Sequence, residues 1–346
     1  MKRKINGRSN DILLHQKLRS ILSRKIYEGE YENGALLPTE RELAQRHGVS
    51  RVTVRGTLAR MHEEGLIIRR QGHGTRVKLR KSGFPGVMDI IAVIAPAGNP
   101  FFASFISRFE AAAEDNGAIV VFKAAGRQPI EDLLFRFYER GIRNIVVWPY
   151  DEVINIESFV RLRGLGMNIV VFDRVVHSDM ADCVSVDNTD GITVLYRHLM
   201  AKCGGKIVYI GWENDVLTSN TDREKAFAAV GNEDSIYRLP WRKEQDVEKD
   251  VSSILKRLPR DTRGILCGNG VIGIAVRKNC LERKRNISVA CVDDLPGATS
   301  LELTAYSQPM EELASVVHQR LVLQSSDAGS WKAKTLYVKG KLFVRS

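Results

Sequence analysis

The five cysteines, at 183, 203, 267, 280 and 291, form no C-x-x-C pair and no C-x-x-C-H run. Each lies in or beside an apolar stretch, so the expectation is buried free thiols in a reducing compartment, not a disulfide framework or a zinc site. No apolar run is long enough to span a bilayer, and the opening MKRKINGRSNDILLHQ carries positive charge without the apolar core of a secretion signal. The sequence therefore predicts a cytoplasmic chain with no membrane partner. Catalytic motifs are missing too: there is no G-x-S-x-G, no H-E-x-x-H and no G-x-x-x-x-G-K-[ST], and GNGVIG at 268–273 has the wrong spacing for a dinucleotide fingerprint. Asp293 and Asp294 are paired acids, but neighbours on a strand point to opposite faces and cannot flank one glycosidic bond. A non-enzyme is expected, with no cofactor and no metal. No short repeat is visible either.

Excess charge is absent from most of the chain. Residues 1–88 hold 19 Lys and Arg against 8 Asp and Glu, which is the whole net charge of +11, while the remainder holds 33 of each. A basic head on a neutral body suggests a polyanion for the first and an uncharged partner for the second. With 346 residues the chain is too long for one small core, and two or three compact units are expected.

The head reads as helical. ILLHQKLRSILSRKIYEG places Leu14, Leu18, Ile21, Leu22 and Ile26 on one face, and the helix ends near Gly29. Thr39 with Glu42 three residues on is a capping box that opens TERELAQRHG, a second helix stopping at Gly48. Ser50 caps a third. LIIRRQGHGTRV then alternates around a Gly-x-Gly turn and predicts a β-hairpin. Three helices and a hairpin make a winged helix-turn-helix. In SRVTVRGTLARM, Val54, Leu58 and Met61 form the buried stripe while Arg51 and Arg55, four apart, share a flank. A helix N-terminus already favours anions, and Ser50, Arg51, Thr53 and Arg55 add donors there. The N-terminal residues of the second helix of such a motif are those that reach base edges in the major groove. Arg41, and Arg69, Arg70, Gln71, Gly72, His73 and Arg76 of the hairpin, would line the same side, with Gly72 and Gly74 permitting close backbone approach.

LRKSGFPGVM, 79–88, combines basic residues with two glycines and a proline, as a linker does. Beyond it, DIIAVIAP, AIVVFKA, NIVVWP, NIVVFDR, KIVYIG, GILCG and ISVACVDD are continuous apolar runs expected to be strands buried on both faces. Longer segments such as FASFISRFEAAAEDNG and MEELASVVHQRLVLQ fit crossover helices. The fold class is α/β: an N-terminal winged helix-turn-helix at 1–78, a linker at 79–88, and a two-lobed, doubly wound parallel-sheet body at 89–346. Ligands of open α/β folds bind outside the carboxyl ends of strands. That selects Asn99 to Phe102, Asp173 and Arg174, Asn269 and Asp293.

LLPTERELAQRHGVSRVTVRGTLARMHEEGLIIRRQGHGT resembles the GntR-type winged helix through its P-[ST]-E-R-E-L-A, V-S-R-x-T-V-R and G-L-I-x-R-x-x-G-x-G-T elements. The resemblance implies operator binding as a homodimer, with DNA contacts at Arg41, Ser50, Arg51, Thr53, Arg55, Gln71 and Gly72. NPFF, VVFDR, VSVDNTDG, DREKAF, ILCGNG, ISVACVDD and LTAYSQPMEELA resemble, in order, the motifs of LacI-type effector domains and periplasmic-binding-protein-like receptors. That implies two lobes joined by three crossovers and closing on a small ligand, with Asn99, Phe101, Phe102, Asp173, Arg174, Arg223, Asn269, Asp293 and Gln308 in the pocket and Trp241 as an aromatic wall. The family's Asn-Asp after the fifth motif is Asn269-Gly270 here, and its Gly-Phe after the arginine is Ala226-Phe227.

Carboxylates and amides suit vicinal hydroxyls, arginine donates in a rigid fork, and aromatic faces cover the C–H surface of a sugar ring. The expectation is a regulator of the arabinose-repressor type, a repressor that binds double-stranded operator DNA and responds to a neutral monosaccharide. A purine or phosphorylated sugar as effector, and a sugar-binding protein without DNA function, stand as alternatives.

Overall fold

The computed structural model describes residues 3–70, 72–79, 88–99, 101–126, 128–149, 155–176, 179, 181–213, 218–241, 246–326 and 331–345, with side chains from residue 13 onward. The linker expected at 79–88 lies almost wholly outside them. The head comprises α1 (Arg3–Tyr27), α2 (Glu40–His47), α3 (Arg51–Glu63) and the hairpin of β1 (Ile67–Arg70) with β2 (Gly74–Val77). Its boundaries follow local chemistry. Thr39 accepts from the Glu42 N–H while the Glu42 carboxylate accepts from the Thr39 N–H at 2.8 Å, and α2 stops at Gly48 with φ 63°. Ser50 Oγ accepts from Thr53 N at 3.0 Å and opens α3. Leu18, Leu22, Leu43, Val54, Leu58 and Met61 close the head's core.

Lobe 1 begins with β3 (Ile90–Ala95), α4 (Phe102–Glu114), β4 (Ile119–Ala124), α5 (Ile130–Glu139), β5 (Asn144–Val147), α6 (Ile156–Gly164), β6 (Asn168–Phe172) and β7 (Asp182–Val186). The chain then crosses into lobe 2: α7 (Asn188–Cys203), β8 (Lys206–Glu213), α8 (Thr218–Val230), β9 (Ile236–Pro240), α9 (Val247–Arg257), β10 (Thr262–Cys267), α10 (Gly270–Glu282), β11 (Ser288–Val292), α11 (Pro296–Ser300) and β12 (Thr304–Ser307). It returns for α12 (Met310–Ser326) and β13 (Thr335–Val338), then crosses again for β14 (Lys341–Phe343). The sheets are ordered β13-β7-β6-β5-β3-β4 and β14-β12-β11-β10-β8-β9. Both are parallel apart from β14, which runs antiparallel to β12. Three crossings join two lobes of one topology, so strand ends of lobe 1 face their counterparts in lobe 2.

All seven predicted strands form. AIVVFKA, however, is not buried on both faces: β4 is the edge of its sheet, with Ile119 67%, Val121 38% and Phe122 39% exposed. A continuous apolar run reports a surface shielded from water; α4 covers part of β4, with Phe102 against Phe122, and the remainder of this edge strand is open among the described residues.

Candidate functional site

The structure gathers two groups of candidate residues. On the head, Arg51 and Arg55 project from the first turns of α3, and Arg41, Arg69, Arg70, Gly72 and His73 are exposed around them. Glu40 organises this face. Its carboxylate accepts from Arg55 Nη2 at 3.2 Å and from Arg69 Nη2 at 2.6 Å, tying recognition helix to wing. Slight burial would raise the Glu40 pKa, but the two guanidinium groups hold it below the ordinary carboxylate value. Ser50 is exposed at the helix start. Thr53 is 2% exposed, and its hydroxyl lies 2.8 Å from Ser50 Oγ, so it builds the cap instead of presenting a free donor. Gln71 lies outside the described residues.

The second group lines a cleft between the lobes, a cavity of about 330 Å³. Asn99, Phe101, Asp173, Arg223, Trp241, Asn269, Asp293 and Gln308 all reach it. Phe102 and Arg174 do not. Phe102 begins α4 and packs its ring 4.5 Å from that of Phe122, and Arg174 is not among the lining residues. Each lies one residue beyond a lining neighbour.

Asp173 and Asp293 occupy corresponding places after β6 and β11. Both take positive φ, 56° and 75°. In each, the backbone N–H is held by the neighbouring strand, Asp173 to Val184 O at 2.8 Å and Asp293 to Tyr306 O at 2.9 Å. A non-glycine residue in the left-handed region is uncommon, though aspartate enters it more readily than most. The result is two carboxylates aimed across the cleft. Asp293 accepts from Asn269 Nδ2 at 3.1 Å and from the Gln308 amide, and Arg223 Nη1 lies 3.8 Å from it. Arg223, 6% exposed, also donates to Asn188 Oδ1 at 2.7 Å and Gly268 O at 2.8 Å. Asp173 accepts from Trp148 Nε1 at 3.3 Å. Burial pushes its carboxyl up to about 6; Arg223 opposes the rise and Asp293 adds to it.

Sequence reasoning missed several lining residues. Trp148 follows β5 and Trp212 lies near the end of β8, so the strand-end rule applied to both. Trp212 meets Trp241 edge to face at 5.5 Å. Ser219 and Asn220 come from the first turn of α8, and Asn220 donates to the Trp212 carbonyl at 2.5 Å. Nothing local marked them. Among the described lining residues the charged ones are Asp173, Asp293 and Arg223, and Arg223 is already engaged by Asn188 and Gly268. Among the described residues, no group of His, Cys, Asp and Glu is placed to hold a metal ion, and no helix is long and apolar enough to cross a membrane.

Residues 14–77 match the family model for bacterial regulatory proteins of the gntR family, and residues 196–346 match that for the periplasmic binding protein-like domain. The arabinose metabolism transcriptional repressor of Geobacillus stearothermophilus is 21% identical over 342 residues, 93% of either chain. An uncharacterised HTH-type transcriptional regulator of Bacillus subtilis is 43% identical over 76 residues, 22% of this chain and 31% of its own length. This chain therefore spans about a third of that relative. Among solved structures, a transcriptional regulator in complex with cellobiose superposes with a TM-score of 0.62 at 17% identity, covering 89% of this chain and 99% of the other. That likeness establishes the fold of the body.

Proposed function

We propose, for a chain that joins a gntR-family winged helix to a periplasmic-binding-protein-like body, a cytoplasmic transcription regulator whose grip on operator DNA is controlled by a small neutral sugar. One observation carries this reading. The cationic residues that would meet phosphates are exposed on the head, whereas among the described residues the interlobe cavity joins acids, amides and tryptophan faces around one internally paired arginine. The two carboxylates accept from hydroxyls, the amides of Asn99, Asn220, Asn269 and Gln308 accept and donate, and the indole faces cover C–H surface. Among the described lining residues the one arginine is already committed to Asn188 and Gly268, so there an anionic effector such as a phosphorylated sugar would face Asp173 and Asp293 without a free cation, which disfavours it. The names of the Geobacillus relative and of the cellobiose complex point the same way.

The working form is a homodimer, joined through the exposed apolar edge of β4, which places two winged helices on successive half-sites. Sugar closes the lobes, the heads lose their spacing, and the operator is released. A ligand shifts such an equilibrium only by its differential affinity for the two states, so hundredfold release requires about 2.7 kcal/mol. A thermal-shift screen with L-arabinose, D-ribose, D-xylose, D-glucose and cellobiose tests the reading. A sugar at 100 times its Kd stabilises by about 2.7 kcal/mol, and Arg223→Ala abolishes the shift. Stabilisation by sugar phosphates alone would contradict it.

A further inference from the structure

The head is seated on the body. α1 lies against α5 and α6 of lobe 1, and one continuous cluster of buried apolar side chains runs from Leu18, Leu22 and Leu58 of the head into Leu133, Phe135 and Phe159 of the lobe. At its centre Tyr27 stacks on Phe135 with ring centroids 4.7 Å apart, and the Arg24 guanidinium lies 4.5 Å from the same ring. Ser20 donates to the Glu139 carboxylate, with Arg24 3.8 Å from its second oxygen. Arg161 of α6 donates to the Tyr27 carbonyl at 3.1 Å, and its guanidinium fills the space beside Gly29 so closely that a Cβ there would meet Nη2 at 2.8 Å. Gly29 also takes φ 82°, the left-handed region that favours glycine in the turn ending α1.

Such a contact is not a loose tether. It combines buried aromatic stacking, cation–π contact and backbone hydrogen bonding, and it leaves the recognition face open: Arg51, Arg55 and Arg70 stay exposed. A contiguous route also joins it to the ligand cavity. α12 begins two residues after the cavity's Gln308, and sixteen residues on from Gln308 the side chain of Gln324 accepts from Arg163 Nη1 at 2.7 Å. Arg163 is on α6, fully buried, two positions from Arg161.

We propose that lobe 1 carries the winged helix as a docked rigid bracket, and that the α1–α5–α6 contact, not the connecting segment, transmits the ligand signal to the DNA-reading helix. The proposal rests on the sugar-regulated reading above and adds the means of regulation.

Two variants test it in the full-length chain, Tyr27→Ala on the head and Glu139→Arg on the lobe. The first removes the stack on Phe135; the second sets like charge against Arg24 and removes the acceptor of Ser20. The probes are a duplex selected from a random pool by the native chain and the sugar that stabilises it in the thermal-shift screen. Both variants should bind that sugar as the native chain does, while the ratio of duplex affinities without and with sugar falls at least tenfold, and amide exchange at residues 18–27 rises at least tenfold. Arg24→Glu combined with Glu139→Arg should recover most of the ratio. Native ratios in both single variants would overturn the proposal, as would unchanged exchange along α1. Should the native chain itself ignore every sugar, the functional reading fails, and the exchange measurement, which needs no ligand, still decides whether the head is docked.

Discussion

Asp173 and Asp293 hold conformations that most side chains avoid, and they do so at equivalent points of two lobes. The strain has a use: a left-handed turn directly after a parallel strand aims the carboxylate over the sheet end and across the cleft. Asp173 carries the clearer consequence. Because its pKa is raised from the ordinary value to about 6, the folded chain holds a proton between roughly pH 4 and 6 that the unfolded chain releases. Its contribution to stability is therefore fully present below that window and is lost as pH rises through it. Ligand binding runs the other way if sugar hydroxyls donate to the ionised carboxylate. Sugar affinity, followed by the fluorescence of Trp148 and Trp212, should be flat above about pH 7 and fall by up to tenfold per unit below 6, with Asp173→Asn removing the slope. An affinity that rises on acidification would show that the protonated acid is the donor.

At the scale of the element, the sequence discloses what local chemistry determines. The capping box at Thr39, the stop at Gly48, the cap at Ser50 and the Gly-x-Gly hairpin are all present, because each is settled within four or five residues. Seven of the parallel strands are readable from their apolar runs, whereas the parallel β7, β9, β12 and β13 and the antiparallel β14 are not: they are short or mix polar with apolar residues, and only their neighbours in the sheet decide them. The site divides similarly. Strand ends yielded most of the cavity, while Ser219 and Asn220 of α8 reach it only because lobe 2 folds that helix across the strand ends. The contact of Tyr27 with Phe135, 108 positions apart, left no local trace at all. Strand β4 adds a prediction. In the homodimer proposed above, a second copy covers its partly exposed apolar edge. Ile119→Lys should give a monomer by sedimentation velocity, with sugar binding retained and duplex affinity reduced at least tenfold, since an edge lysine blocks pairing. A dimer that survives this change would place the interface elsewhere.

For the molecule as a whole, charge and shape are divided between two units. The head concentrates the net charge of +11, and the body is neutral by count, with Asp173, Asp293 and Arg223 as the charged groups among the described cavity residues. Association with duplex should therefore weaken steeply with salt while sugar binding barely responds, because only the first releases condensed counterions. The measurement closest to the central claim is the Kd of the full-length chain for its selected duplex, determined at one fixed salt concentration with and without saturating sugar. The account predicts that sugar raises this Kd between about tenfold and a hundredfold, equivalent to about 1.4–2.7 kcal/mol. An unchanged Kd with the cleft fully occupied would contradict it.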